Sequence, residues 1–135
     1  KKINKLKKKN ILIPATSNWK KIWKARKKDF YYDCESFDFD KSFNLKDIGN
    51  KITDLKKVKA QYMGIIYVPY LKAKLLSNII KKNKDERKDL TFIINQMIIK
   101  KKKIKCLINN YYWYEFDDYD DIRYYKKIFN KKISY

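Results

Sequence analysis

Residues 69–103, PYLKAKLLSNIIKKNKDERKDLTFIINQMIIKKKK, set the expectation for the fold. Pro69 suits the first turn of a helix, where its missing N–H would have no partner anyway. From Tyr70 to Lys82 the residues Leu71, Leu75, Leu76, Ile79 and Ile80 recur at helical spacing, leaving Lys72, Lys74, Lys81 and Lys82 for solvent or phosphate. Asn83 or Asp85 can cap a second helix running to about Lys103. Asp85 and Glu86 lie near its positive N-terminus, and Lys100, Lys101, Lys102 and Lys103 lie at its negative C-terminus. Leu90, Ile93, Ile94, Met97, Ile98 and Lys101 trace one stripe along it. Two amphipathic helices joined by a short polar turn predict an antiparallel helical hairpin, about 69–82 and 84–103. Its wide apolar face requires a cover, from residues 51–63, a C-terminal helix or another chain.

Working outward, Ile52, Leu55, Val58 and Tyr62 give residues 51–63 a helical stripe, which Gly64 interrupts before the β-branched run Ile65 to Val68. Residues 117–130 read as a helix with acids in the first turn and Arg123, Lys126 and Lys127 toward the end. This order matches the helix dipole, so the acidic cluster needs no metal. Ile104 to Phe116 is aromatic and β-prone, with Asn109 and Asn110 suited to a turn. Residues 30–43 alternate aromatic and acidic side chains, as a strand edge or an extended segment would. Thr16, Ser17 and Asn18 offer N-caps for a short helix over about 18–28, on which Trp19, Ile22, Trp23 and Arg26 fall at helical spacing. Residues 1–13 read as an extended basic arm that Pro14 ends. The expected architecture is therefore mainly α: a small helical domain built on the hairpin, with the basic arm and a short β element. Its three parts are an arm over 1–17, a short basic helix with an acidic and aromatic connector over 18–50, and a helical domain over 51–135.

Composition bounds the function. The formal net charge is +20 on 135 residues, and so much like charge opposes a compact state unless a polyanion is present. Lys, Asn, Ile, Tyr and Phe supply 81 residues, and Lys outnumbers Arg 32 to 3, as an A/T-rich genome would produce. That bias equally permits Asp and Glu, whose total of 15 against 35 basic residues it does not explain. The charge is also laid out in blocks. Residues 1–28 hold twelve basic and no acidic side chains, 29–54 hold seven acidic and three basic, and 55–84 hold eight basic and none acidic.

There is no histidine, the usual near-neutral acid–base group and metal ligand. Gly49 and Gly64 stand apart, so no glycine-rich phosphate loop exists. Cys34 and Cys106 are too few and too distant for a zinc site or a disulfide scaffold. Asp38 and Asp40 beside Lys41 imitate a nuclease carboxylate pair, but the pattern is short and common, and a solvated loop is expected. The expectations are no enzyme activity, no catalytic residue, no metal, no cofactor and no small-molecule substrate. No apolar run approaches the roughly 20 residues of a membrane span.

What remains is RNA binding. The expected backbone contacts are Lys1, Lys2, Lys5, Lys7, Lys8 and Lys9 in the arm; Lys20, Lys21, Lys24, Arg26, Lys27 and Lys28 on the short helix; and Lys100, Lys101, Lys102, Lys103 and Lys105 after the hairpin. Trp19, Trp23 and Trp113 either stack on unpaired bases or pack on protein, and packing is expected because aromatics at i and i+4 usually pack. Zinc-finger, RRM, KH and helix-turn-helix patterns are absent from the sequence. Distributed lysines without a docking motif suit a structural constituent of a ribosome that binds rRNA and packs on neighbouring proteins. The A/T-rich usage and the acid-free first 28 residues, a bias shared with transit peptides, direct that expectation to a mitochondrion or other organelle. The alternatives are an interaction subunit of another large assembly and a free-standing nucleic-acid-binding module, either cytoplasmic or nuclear.

Overall fold

The computed structural model describes residues 9–26, 31, 34–83, 89–111 and 113–129. Among them are five strands and four α-helices. The strands are β1 (Ile11–Thr16), β2 (Glu35–Phe39), β3 (Leu45–Lys51), β4 (Gln61–Tyr62) and β5 (Ile104–Asn109). The helices are α1 (Trp19–Arg26), α2 (Tyr70–Lys82), α3 (Leu90–Ile99) and α4 (Tyr119–Phe129), and a 3-10 turn covers Leu55–Lys57. The protein is mixed α/β, which overturns the mainly α expectation.

The correction begins at β1. It is the middle strand of a three-stranded sheet of order β4-β1-β5, antiparallel to β4 and parallel to β5. Ile11, Leu12, Ile13, Ala15 and Thr16 are all 0 % exposed. A strand flanked on both edges and covered on both faces is apolar throughout, as ILIPAT is. Residues 11–13 therefore belong to the core and not to an arm; residues 1–8 lie outside the described residues. Pro14 does not break the strand. Its carbonyl accepts from Met63 N at 3.2 Å, and the N–H it lacks falls where the facing chain loops out around Gly64, whose φ is 69°. Beyond that bulge Leu12 and Tyr67 exchange both backbone bonds at 2.9 Å.

β2 and β3 form an antiparallel hairpin, joined to the first sheet at both margins. Lys59 N donates to Phe37 O at 3.0 Å on one side, and Cys106 N donates to Phe43 O at 2.8 Å on the other. These bonds tie the two-stranded sheet to both margins of the three-stranded one. Residues 51–63, read as a helix, instead supply the end of β3, the 3-10 turn and β4. Their apolar residues occur at a spacing compatible with a helix, but hydrogen bonding to β1 and β2 decides the backbone.

Asp40 shapes the hairpin turn. Its Oδ1 accepts from Ser42 N and Asn44 N, both at 2.9 Å, and its Oδ2 accepts from Asn44 Nδ2 at 2.7 Å. These bonds hold Phe43 at φ 59°, a region bulky residues rarely enter, while its ring stacks on Phe39 at 5.6 Å.

α3 lies on β3. Gly49, at φ 78°, lets the helix come so close that a Cβ there would sit 2.7 Å from the Thr91 Cβ. Ile93, Ile94 and Met97 face the core from α3, and Trp19, Ile22 and Trp23 do so from α1. α1 packs against α4, whose first turn is a reciprocal cap: Asp121 N donates to Asp118 Oδ1 at 3.0 Å, and Asp117 N donates to Asp121 Oδ2 at 2.9 Å. Asp118 and Asp121 thus have a helix-capping role, while Asp120 pairs with Arg123.

The hairpin of helices needs a second correction. Both helices form and touch, but α3 ends at Ile99, not Lys103, and Ile104 already opens β5. Leu75, Asn78, Ile79 and Lys82 of α2 share a groove with Lys100 and Lys102. In a simple antiparallel hairpin the end of the first helix would instead meet the start of the second.

Candidate nucleic-acid interface

β1 and β5 run parallel with Ile11 opposite Ile104, so the chain enters both strands at the same end of the sheet. Lys9 precedes β1 by two residues, and Lys100 to Lys103 precede β5 directly; all five are exposed. The way α3 stops fixes the second group. Lys101 N donates to Ile98 O at 2.8 Å and Lys102 N donates to Met97 O at 2.9 Å, the paired bonds of a Schellman ending. Lys101 occupies its left-handed position, φ 56°, where glycine or asparagine is the usual residue. α2 stops nearby on Asn83, whose N–H donates to Ile80 O at 3.0 Å and whose Nδ2 donates to Ile79 O at 2.8 Å.

Between these endings lies a groove of about 430 Å³. Leu75 and Ile79 contribute apolar surface, Asn78 a polar amide, and Lys82, Lys100 and Lys102 the charge. Ile79 is buried and Leu75 half-buried, whereas Asn78 and the three lysines are exposed. No acidic side chain pairs with these lysines among the described residues. Other cations are engaged: Lys59 lies 2.7 Å from Asp38, Lys46 lies 3.8 Å from Asp40, and Arg123 lies 3.2 Å from Asp120.

The remaining sequence-derived contacts separate into groups. Lys105 is half-buried, and its Nζ donates to Ser42 O at 2.6 Å, tying β5 to the hairpin turn. Lys20, Lys21 and Lys24 are exposed on α1, beyond the other end of β1, whose six residues span roughly 20 Å. Lys20 Nζ lies 5.5 Å from the centroid of the Trp19 ring. Arg26 ends α1. Lys1, Lys2, Lys5, Lys7, Lys8, Lys27 and Lys28 lie outside the described residues. Trp19 and Trp23 are 1 % and 7 % exposed, so they pack in the core and offer no face to a base. Trp113 is half-buried, and its Nε1 donates to Glu115 Oε1 at 3.4 Å. Asn78 escapes the sequence reading, and Lys82 figures there only as one of four α2 lysines left for solvent or phosphate, because spacing alone gives no sign that α2 ends beside the end of α3.

A second cleft, about 420 Å³, lies between the β2–β3 hairpin and the 3-10 turn. Asp38, Asp47 and Asp54 alternate there with Lys51, Lys57 and Lys59. The charges are balanced, Asp54 caps the 3-10 turn, and Lys59 also donates to Phe39 O at 2.7 Å. Among the described residues, no group of three or more His, Cys, Asp or Glu side chains is placed to hold a metal. Asp40 is held down at about pKa 2, first by the Asn44 side-chain bond and then by the Asn44 backbone, which fits its part in the turn. Burial raises the Glu35 pKa, with Asp89 adding to the rise. Burial pushes the Cys106 thiol up to about 12, with Asp40 and Asp38 adding to it, so this cysteine stays protonated and a poor nucleophile. No helix among the described residues is long and apolar enough to cross a membrane. In sequence the chain matches no protein-family model and no curated protein.

Proposed function

We propose that the protein binds the RNA backbone as a structural subunit of a ribonucleoprotein particle. The observation that carries this reading is the convergence of Lys82, Lys100 and Lys102 on one groove, at the end of the sheet where Lys9, Lys101 and Lys103 also emerge. Lysines there also complement the carbonyl ends of α2 and α3, at roughly 0.3–1 kcal/mol each. That role accounts for one or two charges and leaves the rest mutually repelling. A phosphate backbone relieves the repulsion and releases its own counterions. The αL lysine supports the same reading: asparagine is just as compatible with A/T-rich codons, and it suits the backbone better. The ribosome, as an organellar rRNA-binding subunit among neighbouring proteins, is the particle that the composition favours.

The test is binding of a generic RNA to the purified chain as salt is raised. With six to ten phosphate contacts the affinity falls about a thousand-fold or more between 50 and 200 mM salt. An affinity indifferent to salt, or none at low salt, would refute the reading. Gradient co-sedimentation of the endogenous chain then identifies the particle, and migration away from every RNA-containing fraction counts against it.

A further inference from the structure

Lysines alone would serve a phosphate backbone from any convex surface, yet Lys82, Lys100 and Lys102 stand around a recess with Leu75 and Ile79 in its lining. We infer that the groove between α2 and the α3–β5 turn seats an unstacked nucleotide of single-stranded RNA, its base against the half-buried Leu75 beside Asn78 and its phosphates on the three lysines. This rests on the RNA-binding reading and narrows it to one ligand form at one place.

Three features favour a splayed nucleotide over a duplex. An RNA duplex keeps its bases stacked and offers phosphates, ribose hydroxyls and the shallow groove, none of which gains from an apolar lining. A single strand can turn a base outward, and burying its flat apolar face recovers free energy that a phosphate contact cannot supply. Asn78 is exposed between the two apolar residues, and its amide carries both a donor and an acceptor for a base edge. The other basic surface, on α1 and α4, is less suited. Trp19 and Trp23 are turned inward, and Arg123 already pairs with Asp120.

The test uses the full chain and fluorescently labelled oligouridylate, with inorganic polyphosphate of matched charge, an RNA duplex and polyglutamate as competitors. Oligouridylate is expected to bind roughly tenfold more tightly than polyphosphate, the scale of burying one modest apolar surface. Leu75→Ser removes the half-buried apolar wall without changing charge. It should bring oligouridylate down to the polyphosphate level while polyphosphate binding holds. Lys82→Ala and Lys102→Ala should weaken both ligands, and circular dichroism checks that each variant keeps its fold. If oligouridylate and polyphosphate bind alike and Leu75→Ser alters neither, the groove takes phosphate alone; the nucleotide seat is then wrong and the RNA-backbone reading stands. A preference for the duplex, or equal competition by polyglutamate, also overturns the seat. Failure of every RNA to bind at low salt overturns both.

Discussion

α1 and α2 are written in the same language, lysines on one side and large apolar residues on the other, yet they meet different fates. α1 has eight residues and puts Trp19, Ile22 and Trp23 into the core. α2 has thirteen residues and buries Ile79 fully; Tyr70 is 92 % exposed and Leu71 87 %. Helical spacing states which face would be buried if a partner were there. It does not state how deep the partner's surface reaches. α1 follows β1 after a two-residue turn and is held at once to the middle of the sheet, where Thr16 Oγ1 also donates to Tyr111 O at 3.1 Å. α2 sits at the margin, and the groove beside it borders its less buried flank.

The largest effect that can break this comparison is Trp19→Ala. Loss of a fully buried indole should cost about 3–5 kcal/mol, read as a lowered urea midpoint. A cost below about 1 kcal/mol would mean that α1 is as peripheral as α2. Lys101→Gly probes the ground next to α2. Relief of the left-handed lysine should raise stability by about 1 kcal/mol, while the salt dependence of single-stranded RNA binding loses about 0.7 from its logarithmic slope. Stability and binding thus move in opposite directions, and an unchanged slope would remove Lys101 from the interface. The smallest effect belongs to Leu71→Ala, within about 0.5 kcal/mol of the parent because the side chain is already in water. A loss of about 2 kcal/mol or more would show α2 to be as anchored in solution as α1.

Several elements are legible without the structure. Helices near 19–26, 70–82, 90–99 and 119–129 follow from apolar spacing, but the cap of α3 is Asp89, whose carboxylate accepts from Phe92 N, and not the Asn83 or Asp85 that the sequence suggests. The strand character of residues 35–39 and 104–109 is visible in alternation and β-branched content. β1 is not legible. Ile11, Leu12 and Ile13 are a short apolar run beside a lysine block, and Pro14 argues for an end where the structure has a middle. The facing bulge at Gly64, some fifty residues away, is what accommodates that proline. Residues 51–63 mislead for a related reason: a helical stripe and a pair of short β segments can share the same apolar positions.

At the candidate interface the sequence identifies Lys100 to Lys103 by their density and Lys9 by its block. It does not supply Asn78, it does not single out Lys82 from the other α2 lysines, and it does not separate Lys105, which the Ser42 carbonyl engages. By itself, then, the sequence determined the charge, the lack of histidine and the faces of the helices, because these are properties of composition and of short-range periodicity. The tertiary structure decided that ILIPAT is the centre of a sheet, that Trp19 and Trp23 are core, and that two helix ends and two strand entries share one basic margin. Those are pairings across many tens of residues, fixed by which backbone bonds and apolar faces can be satisfied together.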